Sequence, residues 1–316
     1  MAPVLLGGSF LLHLSEQIMK RRVAIQGIGG CNHYIAAKAF FAGDEIETID
    51  CDTFKELASM VASNPDILAM MAIENTIAGS ILPNYQLIRE NDLVIIGEYK
   101  LRIEHSLVAL PGVKIEDIKE VNSHPMALMQ CGEFLDRHPY MKLVEKDDTA
   151  GSAKWIMENN LKDHAAICPS GAAELYGMNI LAEGIETNKR NFTRFLVLAN
   201  KKVAKEVLVQ LYNKAKNSGT LDVKESNQWV NKSSMVFTLP HSSGSLSKVL
   251  AVLSFYDMNL SMIQSLPIVG KEWEYQFYIN LLFNEYQRYI QAIDAIMPLC
   301  KEFKILGEYA EGRQTV

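Results

Sequence analysis

This chain has no cysteine pairing that can be read from its spacing. Its five cysteines, Cys31, Cys51, Cys131, Cys168 and Cys300, are scattered with no Cys-x-x-Cys. That pattern fits free thiols in a reducing compartment better than a disulfide framework or a zinc site, and a cytoplasmic location is expected. The seven histidines are equally dispersed, so no metal centre is expected. A basic excess is also missing. With a net charge of −6 the chain has no electrostatic case for nucleic acid or an anionic membrane, and an anionic ligand must be held by a local site. Long apolar runs are lacking too. Val4–Leu14 is broken by Gly7, Gly8 and His13, is too short to span a bilayer, and has no basic start of the kind a secretory signal carries. Residues 1–18 therefore read as a disordered extension. There is no Walker-type loop and no Gly-x-Ser-x-Gly elbow.

What is present is a long alternation of apolar runs, polar turns and helical patterns. At 316 residues two or three domains are the natural expectation. From Val23 to Leu198 strands alternate with helices, which predicts an α/β fold with mainly parallel sheets covered on both sides. Ile67–Ile73 is apolar throughout and reads as a strand buried on both faces. Val207–Tyr212 could extend the preceding sheet, and Asn213–Asn231, rich in Lys, Asn, Ser and Gly, reads as a linker. Beyond it the order is strand, helix, strand, strand, helix, strand, the ferredoxin-like split motif.

Several strands run into short polar loops at helix starts: Gly27–Gly30, Glu74-Asn75-Thr76, Ser123-His124-Pro125, Asp148-Thr149 and Pro169-Ser170-Gly171. Helix N-termini carry unpaired N–H donors and the positive end of the dipole. Several of them at the carboxyl edges of parallel strands predict a cleft for an anionic small molecule. Ser123, Thr149 and Ser170 can also simply cap their helices. The glycine loop matches a dinucleotide fingerprint only in part, because Asn32 stands where the third glycine belongs. In Asn191-Phe192-Thr193-Arg194-Phe195-Leu196-Val197-Leu198 a hydroxyl and a guanidinium sit side by side where a loop enters a strand, a place where a rigid scaffold can hold reactive groups.

Taken together these blocks resemble prephenate dehydratase in its monofunctional form with a C-terminal ACT domain. The matching blocks are Gly27–Gly30, Ile73-Glu74-Asn75-Thr76-x-x-Gly79-Ser80, His105-x-Leu107, Ser123-His124-Pro125-x-Ala127-Leu128-x-Gln130-Cys131, Asp148-Thr149-Ala150, the stretch from Ala165 to Tyr176-Gly177, and Asn191-x-Thr193-Arg194-Phe195. They run in family order from about residue 22 to 310. The resemblance implies two lobes like those of periplasmic binding proteins (19–98 plus 187–212, and 99–186), a linker at 213–231, and an ACT domain at 232–316. It implies that prephenate loses water and carbon dioxide to give phenylpyruvate without a cofactor, on the way to phenylalanine.

The resemblance makes Thr193 the proton donor or its closest partner. Glu74, Asn75, Ser123 and Gln130 become catalytic residues, and Ser123 and Gln130 share a helix face if Ser123 opens the helix. It places Thr76, Gly29, Thr149, Arg194 and Phe195 around the substrate, with Arg194 either gripping a carboxylate or serving a structural ion pair. Gly244, Ser245, Leu246, Asn259 and Leu260 are implied to bind L-phenylalanine as effector, and a homodimer or homotetramer is implied. Three departures stand out: Thr76 replaces Ser, Gly244-Ser245-Leu246 replaces Gly-Ala-Leu, and Gln264-Ser265-Leu266-Pro267 replaces Glu-Ser-Arg-Pro. The last removes two charges from the effector region. Arogenate as substrate, and a two-lobed binding protein without catalysis, are the competing readings.

Overall fold

A computed structural model describes residues 19–217, 229–268, 270–312 and 314. The expected N-terminal extension, residues 1–18, lies outside them. The chain opens with β1 (Lys20–Gln26), α1 (Asn32–Phe40), β2 (Glu45–Cys51), α2 (Phe54–Ser63), β3 (Ile67–Asn75), the short β4 (Gly79–Ser80), α3 (Leu82–Glu90) and β5 (Leu93–Arg102). It crosses to a second sheet through β6 (Ser106–Ala109), β7 (Glu120–Ser123), α4 (Pro125–Gln130), α5 (Gly132–Leu135), β8 (Lys142–Glu145), α6 (Thr149–Glu158), β9 (His164–Cys168), α7 (Ser170–Leu175) and β10 (Asn179–Ala182). It then returns to the first sheet as β11 (Phe192–Asn200), followed by α8 (Ala204–Asn217). The C-terminal domain is β12 (Lys232–Thr238), α9 (Ser245–Phe255), β13 (Asn259–Pro267), β14 (Tyr275–Leu282), α10 (Tyr286–Ile296) and β15 (Glu302–Tyr309).

The first sheet has the order β2-β1-β3-β11-β5 with β4 added to β3, and the second the order β10-β6-β9-β7-β8. In the first, β1, β2 and β3 are parallel, and β11, like the two-residue β4, runs the other way. This reversal matters for function. The beginning of β11 lies at the carboxyl edge of its neighbours, so Thr193 pairs in register with Asn75 and Arg194 with Glu74. A bulge follows at once, between Arg194 and Phe195.

Three boundaries differ from the sequence reading. β5 continues to Arg102, so the chain leaves the first lobe four residues beyond position 98. Val207–Tyr212 is helical rather than a strand: Ala204, Val207 and Leu211 fall at helical spacing and are buried, while Val209 is exposed. That helix reaches Asn217, five residues into the expected linker, and Trp229 beyond it packs edge-on against Tyr212. Ser80 lies in β4, and Ile81 stands between it and α3.

The C-terminal sheet, ordered β13-β14-β12-β15, lies against the first lobe rather than hanging from it. Val236, Met262, Tyr278, Leu306 and Tyr309 share one buried apolar cluster with Tyr85, Ile95, Leu196 and Leu198. After β15 the chain runs beside β5, the edge strand of the first sheet, with Gly312 N–H donating to the Glu98 carboxylate (3.0 Å) and Gln314 bridging to Lys100. An edge covered in this way offers no free ladder to another chain.

His33 on α1 is buried against Phe54 and Phe195, and its Nε2 accepts from Ala72 N–H (3.3 Å). Burial pulls its pKa down to about 4. The unfolded chain binds a proton there below about pH 6.5, while the folded chain stays neutral until about pH 4. Stability is therefore expected to fall as pH drops through that window, by up to about 3 kcal/mol from this group. Urea midpoints at pH 7 and pH 4.5 test this, and His33→Gln should flatten the slope.

Candidate active site

A cavity of about 220 Å³ lies between the two lobes, lined by Asn32, Asn75, Ala78, Asn191 and Thr193 from one side and by His105, His124, Met126, Ala127, Gln130 and Thr149 from the other, with Ile103 at the crossing. No lysine, arginine or carboxylate is among these residues. Three helix starts face it: Asn32 opens α1, Met126 lies in the first turn of α4, and Thr149 opens α6. The helix dipoles favour an anion there, although Met126 N–H is already given to His124 Nδ1 (3.2 Å) and Gly151 N–H, in the first turn of α6, to the Asp148 carboxylate.

The polar side chains form one directed network. Asn75 Oδ1 accepts from the backbone N–H groups of Ile77 and Ala78, both at 2.9 Å. Backbone amides only donate, so they fix which end of the Asn75 amide is the oxygen. Its Nδ2 then donates to Thr193 Oγ1 (2.9 Å) and to Asn191 Oδ1 (2.7 Å). Asn191 in turn donates from Nδ2 to Gln130 Oε1 (3.2 Å), which also lies 3.0 Å from His105 Nε2. Gln130 Oε1 can only accept, so that His105 nitrogen carries the hydrogen. Burial lowers the His105 pKa and keeps the ring neutral. Among the described residues the network leaves the Thr193 hydroxyl hydrogen, one Asn191 amide hydrogen and the Gln130 amide hydrogens as its unspent donors. Cys31, at the head of α1, contributes no thiolate, because burial pushes its thiol up to about 12.

Asn75, Gln130, Thr149 and Thr193 thus meet in the cavity, and the other expected residues lie elsewhere. Ser123 is the last residue of β7, not a helix start. It is fully buried and its hydroxyl donates to the Ile167 carbonyl (2.5 Å), while His124 caps the helix, its Nδ1 accepting from Met126 N–H. Ser123 and Gln130 therefore do not share a helix face. Glu74 points to the opposite side of the first sheet and pairs with Arg194 (3.2 Å). Arg194 is buried there, against Glu98 and Tyr85, and is not among the cavity-lining residues. Successive strand residues face opposite ways, so Thr193 in the cavity requires Arg194 outside it. Phe195 is buried with its ring edge-on to His33 and does not line the cavity. Thr76 joins the strand ends, accepting from Phe192 N–H and donating to the Arg190 carbonyl. Gly29 closes the lobes on one another, its carbonyl accepting from Tyr176 (2.7 Å). At Gly30, with φ +88°, a Cβ would lie 2.8 Å from the Ala172 backbone, so this interlobe contact needs glycine twice over.

The family model for prephenate dehydratase matches residues 23–203. The chain belongs to the prephenate dehydratase family. Arogenate dehydratase 2 of Petunia hybrida is 34% identical over 95% of this chain and 74% of its own. The structure of prephenate dehydratase from Arthrobacter aurescens in complex with L-Phe superposes with TM-score 0.76 at 26% identity, covering 93% of this chain and 92% of that one. A structure described as GqqA, a novel type of quorum quenching acylase, superposes with TM-score 0.78 at 26% identity over 92% of this chain and 98% of that one. The dehydratase is a hydro-lyase. Sequence reasoning missed Asn191 and His105 as site residues although both stand in matching blocks; each completes a pair that only the folded chain brings together.

In the C-terminal domain Gly244 precedes α9 with φ +78°, and Ser245 and Leu246 line a shallow pocket of about 130 Å³ with Trp273 and Tyr275. Asn259 and Leu260 begin β13, beyond the far end of the 11-residue α9, roughly 16 Å away along the axis. One chain does not bring the five expected effector residues together. Among the described residues no helix is long and apolar enough to cross a membrane.

Proposed function

We propose that this dehydratase converts prephenate to phenylpyruvate, carbon dioxide and water, and that Thr193 protonates or hydrogen-bonds the departing hydroxyl. The carboxyl carbon–carbon bond breaks, its electrons enter the ring, and the ring C–O bond breaks as the ring becomes aromatic. Hydroxide leaves poorly, so a donor at that oxygen speeds its departure, and the one proton that makes it water is drawn in net from solvent, so that Thr193 ends the step as a hydroxyl. The observation that carries this reading is the direction of the network: Thr193 Oγ1 accepts from Asn75, which frees its hydrogen for the substrate. Helix starts and the Gln130 amide suit the two carboxylates.

Prephenate is favoured over arogenate because arogenate carries an ammonium group, and the cavity lining holds no carboxylate to meet it. An acylase would need a base at its hydroxyl nucleophile, whereas the Asn75 amide beside Thr193 donates and cannot take a proton. The C-terminal domain, read as an ACT module, serves as an L-phenylalanine sensor. Its two groups of effector residues meet one ligand only if two chains pair, which supports a dimer or a higher oligomer.

The test is turnover by purified protein, with phenylpyruvate and phenylalanine as the respective products. A kcat/KM at least about 10-fold higher for prephenate than for arogenate is expected, with L-phenylalanine lowering the rate. Preference for arogenate would reverse the substrate assignment, and no turnover of either would end the reading.

A further inference from the structure

On the side of the first sheet away from the cavity lies a buried cluster of charges that the chemistry does not use. Glu98 on β5 is fully buried and accepts from Lys232 Nζ with both oxygens (2.8 and 2.9 Å), from Arg194 Nη1 (3.2 Å), and from Gly312 N–H. Arg194 also donates to Tyr85 (2.6 Å) and pairs with Glu74 (3.2 Å). Asn280, with its amide turned so that the nitrogen donates to Ser234, accepts from both Arg194 Nη atoms at 2.8 and 3.0 Å. Lys232, Asn280 and Gly312 all come from the C-terminal part of the chain. Burial raises the Glu98 pKa, but Lys232 and Arg194 outweigh it and hold the carboxyl below its ordinary value.

Two positive and two negative groups thus balance, and the balance bears on the cavity through a single cross-strand step. Thr193 pairs with Asn75 and Arg194 with Glu74 at adjacent positions of β11 and β3. One face of that step carries the Thr193–Asn75 hydrogen bond, and the other carries the Arg194–Glu74 ion pair. The bulge immediately after Arg194 interrupts the regular ladder, so the ion pair helps to fix where Thr193 stands. A buried Glu98 without Lys232 would draw Arg194 toward itself and away from Glu74.

We propose that Lys232, supplied by the C-terminal domain, is a positioning residue for the dehydration: by neutralising Glu98 it leaves Arg194 free to hold Glu74, which sets Asn75 and Thr193. The inference rests on the proposed reaction at Thr193. It makes the cavity depend on a residue of another domain, so any movement of that domain reaches the reacting hydroxyl through Arg194.

The test is steady-state turnover of prephenate by the full chain, with wild type measured first. If wild type is inactive, the proposed reaction has failed and with it the basis for this role. With wild type active, Lys232→Met is expected to lower kcat about 10-fold in samples that circular dichroism shows to be folded at the assay temperature. A merely structural role would lower the melting temperature and leave turnover per folded molecule unchanged. The charge-balanced Glu98→Gln/Lys232→Met variant is expected to recover to within about 3-fold of wild type. Wild-type kcat in folded Lys232→Met, or no recovery in the double variant, overturns the proposal. If Lys232→Met does not fold, Glu74→Gln decides: it removes the Arg194–Glu74 ion pair while Glu98 stays neutralised, a loss of about 3-fold in kcat is expected, and an unchanged kcat overturns the proposal.

Discussion

Thr193→Val is expected to lower kcat for prephenate by about 10²- to 10³-fold, with Thr193→Ser retaining most of the activity. Valine keeps the branched shape, and Thr193 is nearly buried on β11, so packing changes little. What disappears is the oxygen that accepts from Asn75 and the hydrogen it leaves free for the cavity. The Asn75 amide loses one of its acceptors but keeps Asn191, so the rest of the network stays in place. Stability should shift by no more than about 1 kcal/mol, which separates the chemical effect from an unfolding effect in a thermal melt run beside the assay. Retention of wild-type kcat by the valine variant would move the donor elsewhere, with Gln130 and Asn191 the remaining cavity amides with hydrogens the network does not use.

Gly307→Ala is expected to have the largest effect on stability. β15 passes so close to β5 that a Cβ on Gly307 would lie 2.1 Å from the Ile95 carbonyl oxygen and 2.8 Å from its carbon. Both are backbone atoms of a central apolar cluster, so neither can swing away as a long side chain would. The C-terminal sheet must shift as a body, at a cost of about 3 kcal/mol and a fall in melting temperature of roughly 6–12 °C. Gly132→Ala is the control: it sits in α5 with open space around it and should change stability by less than about 0.5 kcal/mol, or improve it. Equal melting temperatures for Gly307→Ala and wild type would mean that the two sheets are not held in this close packing.

Local pattern carried much of the architecture. Ile67–Ile73 reads as a doubly buried strand and is one, because covering helices and the C-terminal sheet leave neither face of β3 to water. Tyr275–Leu282 alternates in sequence and is a strand of the C-terminal sheet, but it is buried on both faces from Tyr278 to Leu281, because Tyr278 packs against the first lobe. The misreadings have local causes. Val207-Leu208-Val209 is rich in residues that favour strands, and only the spacing of Ala204, Val207 and Leu211 reveals the helix. β10 has four residues and an irregular pairing with β6, too little for a period to show. At the site, Thr193 and Asn75 were legible through the blocks that contain them. The parting of Thr193 from Arg194 was legible in principle, since neighbours on a strand cannot face the same cleft. The partners Glu98, Lys232 and Asn280 were not, because charges 134 positions apart, as Glu98 and Lys232 are, leave no trace in local sequence.

The way Glu98 is satisfied also sets a timetable. Its strand is made early, but Lys232 follows 134 positions later and Gly312 214 positions later. At about 5–20 residues per second, the carboxylate waits roughly 10–40 s on the ribosome before its last donor exists. During that wait β5 is an uncovered edge, and from the making of β11 until Lys232 follows, Arg194 is the charged partner of Glu98. The nascent first lobe should therefore stay loose until the C-terminal sheet arrives.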